Sequence, residues 1–154
     1  MRLEWWRRSI DFIREAPLLG NGTGSTKELF DRDAHRKTGI WAASIGNPHN
    51  QTLNVAIQWG ALGCLILYAM WYFHLMLFWR STKLDAWIGL IVVVQNVISS
   101  LFNSHLFDFT EGWIYVLGVG VAGGMMTSRT DPARTVLSAT QRDELTGLKA
   151  FSRP

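Results

Sequence analysis

One long apolar stretch constrains this chain more than any other feature. Residues 51–79 contain no Asp, Glu, Lys or Arg, and the polar segment 47–50, Asn-Pro-His-Asn, comes directly before them. About 20 apolar residues are enough for a helix to cross a bilayer. The sequence therefore predicts a transmembrane helix over about 51–79 that begins at a polar turn. Shorter apolar segments, about 86–102 and 110–127, predict two more membrane helices and an all-α membrane protein.

The two ends of the chain are polar. Residues 2–15 place Trp and other apolar side chains on one helical face and Arg on the other, which is typical of a helix lying in the membrane interface. A surface helix of a soluble core is the alternative. Residues 25–46 lack clear periodicity and are predicted to be a loop with one short helical turn. The tail, 128–154, has few large apolar residues and is predicted to be disordered.

Basic residues in short loops predict the orientation of the chain. Arg80 and Lys83 lie between the first and second apolar segments, and the tail carries further basic residues. Short basic loops stay on the cytoplasmic side of a membrane. With three spans, residues 1–50 and 103–112 are then expected on the periplasmic face of the bacterial inner membrane.

The polar turn before the long helix predicts a functional histidine. Asn47 is a suitable N-cap and Pro48 suits the first helical position, which would place His49 and Asn50 in the first turn. The helix dipole there disfavours the imidazolium, so His49 is expected to be neutral and able to accept a proton. The helical face below it is mostly small, which predicts close approach of another helix or of a lipid chain; its members are Thr52, Ala56, Gly60, Gly63 and Leu67.

Several other patterns favour ordinary structural roles. The loop 20–24 has GxGxG spacing and no preceding strand, which argues against a dinucleotide site. Asp31 and Asp33 resemble a metal-binding pair, but the neighbouring basic residues disfavour a cation, and no metal or other cofactor is expected. The net charge of +3 is spread among acidic residues, which argues against nucleic-acid binding. Cys64 reads as a small apolar residue.

Two further histidines remain to be placed. His74 lies in an aromatic-rich stretch near the end of the long helix, where an interfacial role is favoured over catalysis. His105, with Asp108 and Glu111 nearby, either contributes to the site of His49 or is an ordinary turn histidine.

Two motifs resemble the O-antigen ligase family. His49-Asn50, nine residues and then Gly60-Ala61-Leu62-Gly63 is similar to that family's periplasmic signature, a histidine followed by Asn, Ser or Gln, nine residues and G-x-x-G. Arg2 with Trp5 and Trp6, followed by the stretch Pro-Leu-Leu-Gly-Asn-Gly-Thr-Gly at 17–24, is similar to the stretch that precedes this histidine in the family. The resemblance extends from residue 2 to about 125.

The resemblance implies a function for these residues. Family members transfer a glycan from undecaprenyl diphosphate to a hydroxyl of lipid A–core oligosaccharide, with inversion and without a metal. It implies that His49 is the catalytic base, that Arg2 binds the diphosphate, that Asn50 supports the site and that Gly60 and Gly63 are structural. Arg7, Arg8 and Arg14 are alternatives to Arg2 by charge alone.

The resemblance also implies partners and alternatives. Members are polytopic, so this chain is expected to correspond to the C-terminal part of a larger bundle, to be inactive alone, and to need the preceding helices, here or as a separate chain. Its other expected partners are the lipid-linked glycan, the lipid A–core acceptor and membrane lipids. Two alternatives remain open: an O-antigen polymerase or protein O-oligosaccharyltransferase with the same donor, and a non-catalytic membrane protein in which His49 only caps a helix.

Overall fold

The computed structural model describes residues 2–36 and 46–129, and these contain helices and no β-strand. The five α-helices and one short 3-10 helix are, in chain order, α1 (Arg2–Glu15), α2 (Ser25–Ala34), α3 (Gln51–Trp79), α4 (Leu84–Ser99), the 3-10 helix His105–Phe107, and α5 (Phe109–Arg129). The tail predicted to be disordered lies outside the described residues, apart from the end of α5. The all-helical class predicted from sequence is confirmed.

The N-terminal helices pack on the start of α3. The predicted helix over 2–15 is present as α1, and its buried Phe12 meets Leu29 and Phe30 of α2 and Ile57 of α3. The prediction that the segment from residue 25 is a loop is wrong over α2. Four of its residues at helical spacing are buried, and this pattern is masked in the sequence by charges on the other face; they are Thr26, Leu29, Phe30 and Ala34.

Helix α3 is not a straight rod, because it breaks at Gly60. The backbone there has φ 61° and ψ −153°, a conformation that only glycine adopts readily. Thr52 Oγ1 lies 3.0 Å from Tyr68 Oη, and Cys64 Sγ lies 3.8 Å from Thr52 O. The Cα atoms of Thr52 and Tyr68 would be about 24 Å apart in a continuous helix. The first arm, 51–59, therefore folds back along the second arm, 61–79.

The glycine loop, residues 17–24, supplies the hydrogen bonds that the break leaves open. Amides of Asn21 and Gly22 donate to the carbonyls of Ile57 and Gln58 at 2.8 and 2.9 Å. On the other side of the break, the amides of Ala61 and Leu62 donate to Pro17 O and Leu18 O at 2.8 and 3.3 Å. An interrupted helix in a membrane protein needs such partners for its free backbone groups.

The second arm of α3, α4 and α5 form a small antiparallel bundle. A buried cluster joins them and includes Trp71, Phe78, Val93 and Tyr115. The two later helices lie within a few residues of the predicted apolar segments. Among the described residues, one helix, Gln51–Trp79, is long and apolar enough to cross a membrane by length and composition, and α4 is a shorter apolar helix. Because α3 folds back at Gly60, the prediction of one continuous span over 51–79 is wrong, and the second arm is the part that could cross. The three spans and their orientation stay predictions.

Candidate functional site

The histidine predicted to be functional lies just outside α3. Asn50 is the N-cap, since its Oδ1 accepts from Leu53 N at 3.0 Å, and the helix begins at the next residue. The prediction that Asn47 caps the helix and that His49 lies in its first turn is therefore wrong. The side chain of Asn47 instead accepts from the amide of His49 at 2.8 Å in a tight turn, and His49 has φ 54°. The dipole argument for a neutral imidazole at a first-turn position does not apply.

Two side chains hold the imidazole of His49. Its Nδ1 lies 3.2 Å from Oδ1 of Asn103, and the ring of Trp5 lies 5.5 Å away between centroids at 38°. An amide oxygen only accepts hydrogen bonds, so Nδ1–H is the donor in this pair and Nε2 carries the lone pair. A half-buried imidazole with an unprotonated Nε2 is able to take a proton from a hydroxyl group.

The turn between α4 and α5 braces the same segment. Four hydrogen bonds of 2.8 to 3.1 Å join residues 47–51 to residues 100–106: Gln51 N to Ser100 O, Asn50 Nδ2 to Leu101 O, Ser104 Oγ to Asn47 Oδ1, and Leu106 N to Gln51 Oε1. Asn50 therefore caps α3 and also holds this turn. Sequence reasoning missed Asn103 and Ser104. Their one signal was the polar Asn-Ser pair in a turn predicted on the same side as His49.

The first turns of α1 lie against this segment. Trp5 stacks near His49, and Nε1 of Trp6 donates to Pro48 O at 3.1 Å. Arg2 is three and four residues before these tryptophans, and residues at this spacing share one helix face. Arg2 is exposed at the start of α1, and this spacing puts it on the helix face that carries the two tryptophans. The fold thus brings together the two elements that carry Arg2 and His49.

The alternative arginines have different surroundings. Arg8 is 4 % exposed, pairs with Asp33 and lies with its guanidinium 4.9 Å from the Phe30 ring centroid. This arginine joins α1 to α2 and is committed to that role. Arg14 is an exposed partner of Asp11 at 3.1 Å, and Arg7 is exposed.

Asp31 and Asp33, the two carboxylates that resemble a metal-binding pair, form ion pairs with basic side chains. Asp31 pairs with Lys27 at 2.6 Å, and Asp33 pairs with Arg8. Within residues 2–36 and 46–129, no three His, Cys, Asp or Glu side chains are grouped so that they could bind a metal ion.

The two remaining described histidines near the apolar helices have partners of their own. His74 Nδ1 lies 2.7 Å from the hydroxyl of Tyr115 inside the bundle, so it links two helices. His105 Nδ1 lies 3.6 Å from Oε1 of Glu111, too far for a hydrogen bond, and Asp108 accepts from Thr110 N at the start of α5. These contacts favour the turn role for His105.

An apolar groove of about 580 Å³ lies inside the bend of α3. Both arms line it, and Gln51, two residues from His49, is the polar side chain among the lining residues; the apolar walls include Val55, Trp59, Leu62, Ile66, Leu67 and Met70. The predicted small face running from His49 through one helix does not exist, because His49 is outside the helix and α3 is broken. Close approach was right at Gly60, but the backbone of Leu18 makes it, not a second helix.

Gly63 belongs to the same bend. A Cβ atom at this position would lie 2.5 Å from Trp59 Cβ and 3.1 Å from Val55 Cγ1. Gly63 therefore lets the two arms of α3 approach each other.

Over the described residues the chain is an all-helical protein with one helix long and apolar enough to cross a membrane, and a histidine held beside an arginine-bearing helix at one end of an apolar bundle. Residues 1–68 match the family model described as O-Antigen ligase, which confirms the resemblance over that part of the chain. This is a bacterial membrane family of glycosyltransferase-type ligases and polymerases, whose substrates are in general lipid-linked glycans and lipid acceptors. The match includes Arg2, His49 and Gly60. The comparison with curated proteins gives no match.

Proposed function

We propose that this chain carries the catalytic base and a diphosphate-binding arginine of a ligase that moves a glycan from undecaprenyl diphosphate to a lipid A–core hydroxyl. The observation that supports the proposal is the packing of Trp5 and Trp6 of α1 on Pro48 and His49, because α1 is the helix that begins with Arg2. Both residues lie within the family match.

The reaction needs a base and a site for the leaving group. A sugar hydroxyl is a poor nucleophile until its proton is removed, and a positioned base contributes on the order of 10²–10⁴ in rate. In the proposed step, Nε2 of His49 takes that proton while the hydroxyl oxygen bonds to the anomeric carbon. The bond from this carbon to the diphosphate breaks, and its electron pair leaves with the diphosphate. The guanidinium of Arg2, always charged, binds the phosphate oxygens, and no metal is required.

The groove inside the bend of α3 supports a lipid-linked donor. Its walls are almost entirely apolar, and one of its lining residues, Gln51, follows the His49 segment directly in the chain. In the proposed complex the prenyl chain lies against these apolar side chains and its diphosphate lies near His49. Because the prenyl chain is already in hydrocarbon when the donor lies in the bilayer, the groove would hold it by van der Waals packing and would position its diphosphate.

The test is His49→Ala in the protein expressed together with the upstream helices of the family, in a bacterium that lacks its own O-antigen ligase. We expect loss of the long-chain lipopolysaccharide ladder, with transfer reduced at least a hundredfold. His35→Ala, which alters an exposed histidine at the end of α2, is the matched control and should keep the ladder. Transfer should also persist in EDTA.

An undiminished ladder in His49→Ala would contradict the proposal and favour a non-catalytic role. If the unsubstituted protein consumes the donor but does not cap lipid A–core, the acceptor assignment fails. A polymerase or a protein O-oligosaccharyltransferase then becomes the better account. Both use the same donor, so the base and arginine would keep their roles.

A further inference from the structure

We infer that Asn103 is the positioning residue of His49: it fixes the imidazole as the Nδ1–H tautomer so that Nε2 is the basic nitrogen. This inference rests on the proposed role of His49 as a base and assigns a second residue to it. Asn103 lies outside the segment that matches the family model, 35 residues beyond its end.

The contact at Nδ1 sets the tautomer. The only polar atom of Asn103 that faces the ring in hydrogen-bond range is its amide oxygen, 3.2 Å from Nδ1. A neutral imidazole has one N–H, and this oxygen stabilises the form with the proton on Nδ1. In water a free imidazole side chain has no such fixed partner. The same hydrogen bond persists when Nε2 accepts a proton, so it also stabilises the imidazolium formed during transfer.

The surroundings of Asn103 are rigid enough for this role. Its neighbours Leu101 and Ser104 are hydrogen-bonded to Asn50 and Asn47, the residues on either side of the Pro48-His49 pair. Ser104 is 1 % exposed, and Ser100 at the start of the same turn is 2 % exposed. The backbone N–H of Asn103 itself donates to Ser99 O at 3.1 Å. Residues that orient a catalytic group act in this way, through fixed secondary contacts.

Trp5 restricts movement of the His49 ring on the side away from Asn103. Its ring lies 5.5 Å from the imidazole at 38°, which limits rotation of the imidazole away from Asn103. The ring of His49 is therefore held at one nitrogen by a hydrogen bond and across its face by an indole. Of the two nitrogens, the structure leaves Nε2 for the substrate hydroxyl.

The first experiment measures the tautomer directly and does not depend on activity. The chain is labelled with ¹⁵N-histidine, reconstituted in lipid nanodiscs at a pH where His49 is neutral, and the His49 signals are assigned by their loss in His49→Gln. We expect protonated Nδ1 in the wild type and in Asn103→Asp, which keeps an acceptor oxygen. In Asn103→Leu, of similar size but without an acceptor, the population should shift toward protonated Nε2.

The second experiment measures transfer by the same variants together with the upstream helices. Asn103→Leu should lower kcat about ten- to a hundredfold with little change in KM for the lipid-linked donor, and Asn103→Asp should restore most of the loss. Gln95→Leu, at an exposed amide on α4, is the matched control and should change neither the tautomer nor the rate. Unchanged thermal unfolding of Asn103→Leu would confirm that the loss is not one of folding.

Two outcomes would overturn the inference. Protonated Nδ1 in Asn103→Leu would mean that Asn103 does not set the tautomer. A shifted tautomer with full kcat would mean that the tautomer does not serve transfer. Failure of the proposed function would give a different result from failure of this inference. His49→Ala would then keep full transfer, whatever the NMR result for Asn103.

Discussion

At the scale of single residues, the proposed site combines a side chain held by its neighbours with one that is exposed to solvent. The imidazole of His49, the proposed base, lies between Asn103 and Trp5. Arg2 lies exposed at the first turn of α1, and a long cationic side chain there is able to follow a charged leaving group. Arg8, six residues further on, has the opposite character, because its charge is buried against Asp33 and Phe30.

Replacement of Arg2 tests this assignment at the same scale. Arg2→Ala should lower glycan transfer at least tenfold, while Arg2→Lys keeps a point charge but loses bidentate contact and should be intermediate. Transfer is measured with a lipid-linked donor in proteoliposomes that contain the upstream helices. The matched control is Arg7→Ala, another exposed arginine of α1. An equal loss in both variants would mean that general surface charge, not a specific diphosphate contact, is responsible.

At the scale of elements, the break in α3 determines where the site lies. The glycine loop inserts its backbone between the two arms and satisfies carbonyls of the first and amides of the second. Its own side chains add to this, since Nδ2 of Asn21 donates to Ile57 O at 3.1 Å and Nε1 of Trp59 donates to Thr23 Oγ1 at 2.9 Å. The two family motifs, the glycine stretch and G-x-x-G, are thus two sides of one structural feature.

The break predicts an unusual sensitivity to alanine. Gly60→Ala would place a Cβ 2.5 Å from the carbonyl carbon and oxygen of Leu18, in a backbone conformation that only glycine tolerates. We expect a loss of more than about 2 kcal/mol in the free energy of unfolding. Thermal unfolding in detergent, followed by circular dichroism, measures it.

The control for this variant is Gly120→Ala. Gly120 lies in α5 with no atom within 4 Å of the added Cβ, so alanine there should stabilise the helix by up to about 1 kcal/mol. If Gly60→Ala were as stable as the wild type, α3 would have to be a continuous helix, and the site described for His49 would lose its basis.

At the scale of the whole molecule, a polar N-terminal part rests on an apolar bundle. Large apolar side chains are exposed on the second arm of α3, on α4 and on α5, and together they form a surface that water does not favour; examples are Leu65, Phe73, Ile91, Ile114, Leu117 and Val121. The polar segment with His49 lies where α4 ends and the 3-10 helix begins. A bundle placed in a bilayer would keep this end at the aqueous boundary.

Cysteine labelling tests the predicted orientation of the whole chain. In a Cys64→Ala background, Gly46→Cys lies beside the His49 segment, and Lys83→Cys lies in the exposed turn between α3 and α4. An impermeant maleimide added to spheroplasts should label Gly46→Cys, and should label Lys83→Cys only after the membrane is permeabilised. The reverse pattern would invert the topology, and labelling of both sites would mean that α3 does not span the membrane.

The sequence supplies the residues of the candidate site but not their geometry. The spacing from His49 to Gly60 singles out the histidine and the glycines, and the tryptophans of α1 belong to the other motif that resembles the family. The cap was misplaced by three residues, because Asn47 and Asn50 are equally good caps locally. Two residues more than 50 positions away distinguish them. Ser104 Oγ donates to the side-chain oxygen of Asn47, and Leu101 O accepts from the side-chain nitrogen of Asn50.

The sequence by itself determined the helical class, the three apolar segments and the histidine motif, because periodicity, hydropathy and residue spacing are local properties of the chain. The tertiary structure alone decided that α3 folds back at Gly60, that α2 is a helix and that Asn103 meets His49. Each of these depends on backbone or side-chain partners that are distant in sequence. Hydropathy registers an apolar run but not the inserted loop whose hydrogen bonds allow that run to break.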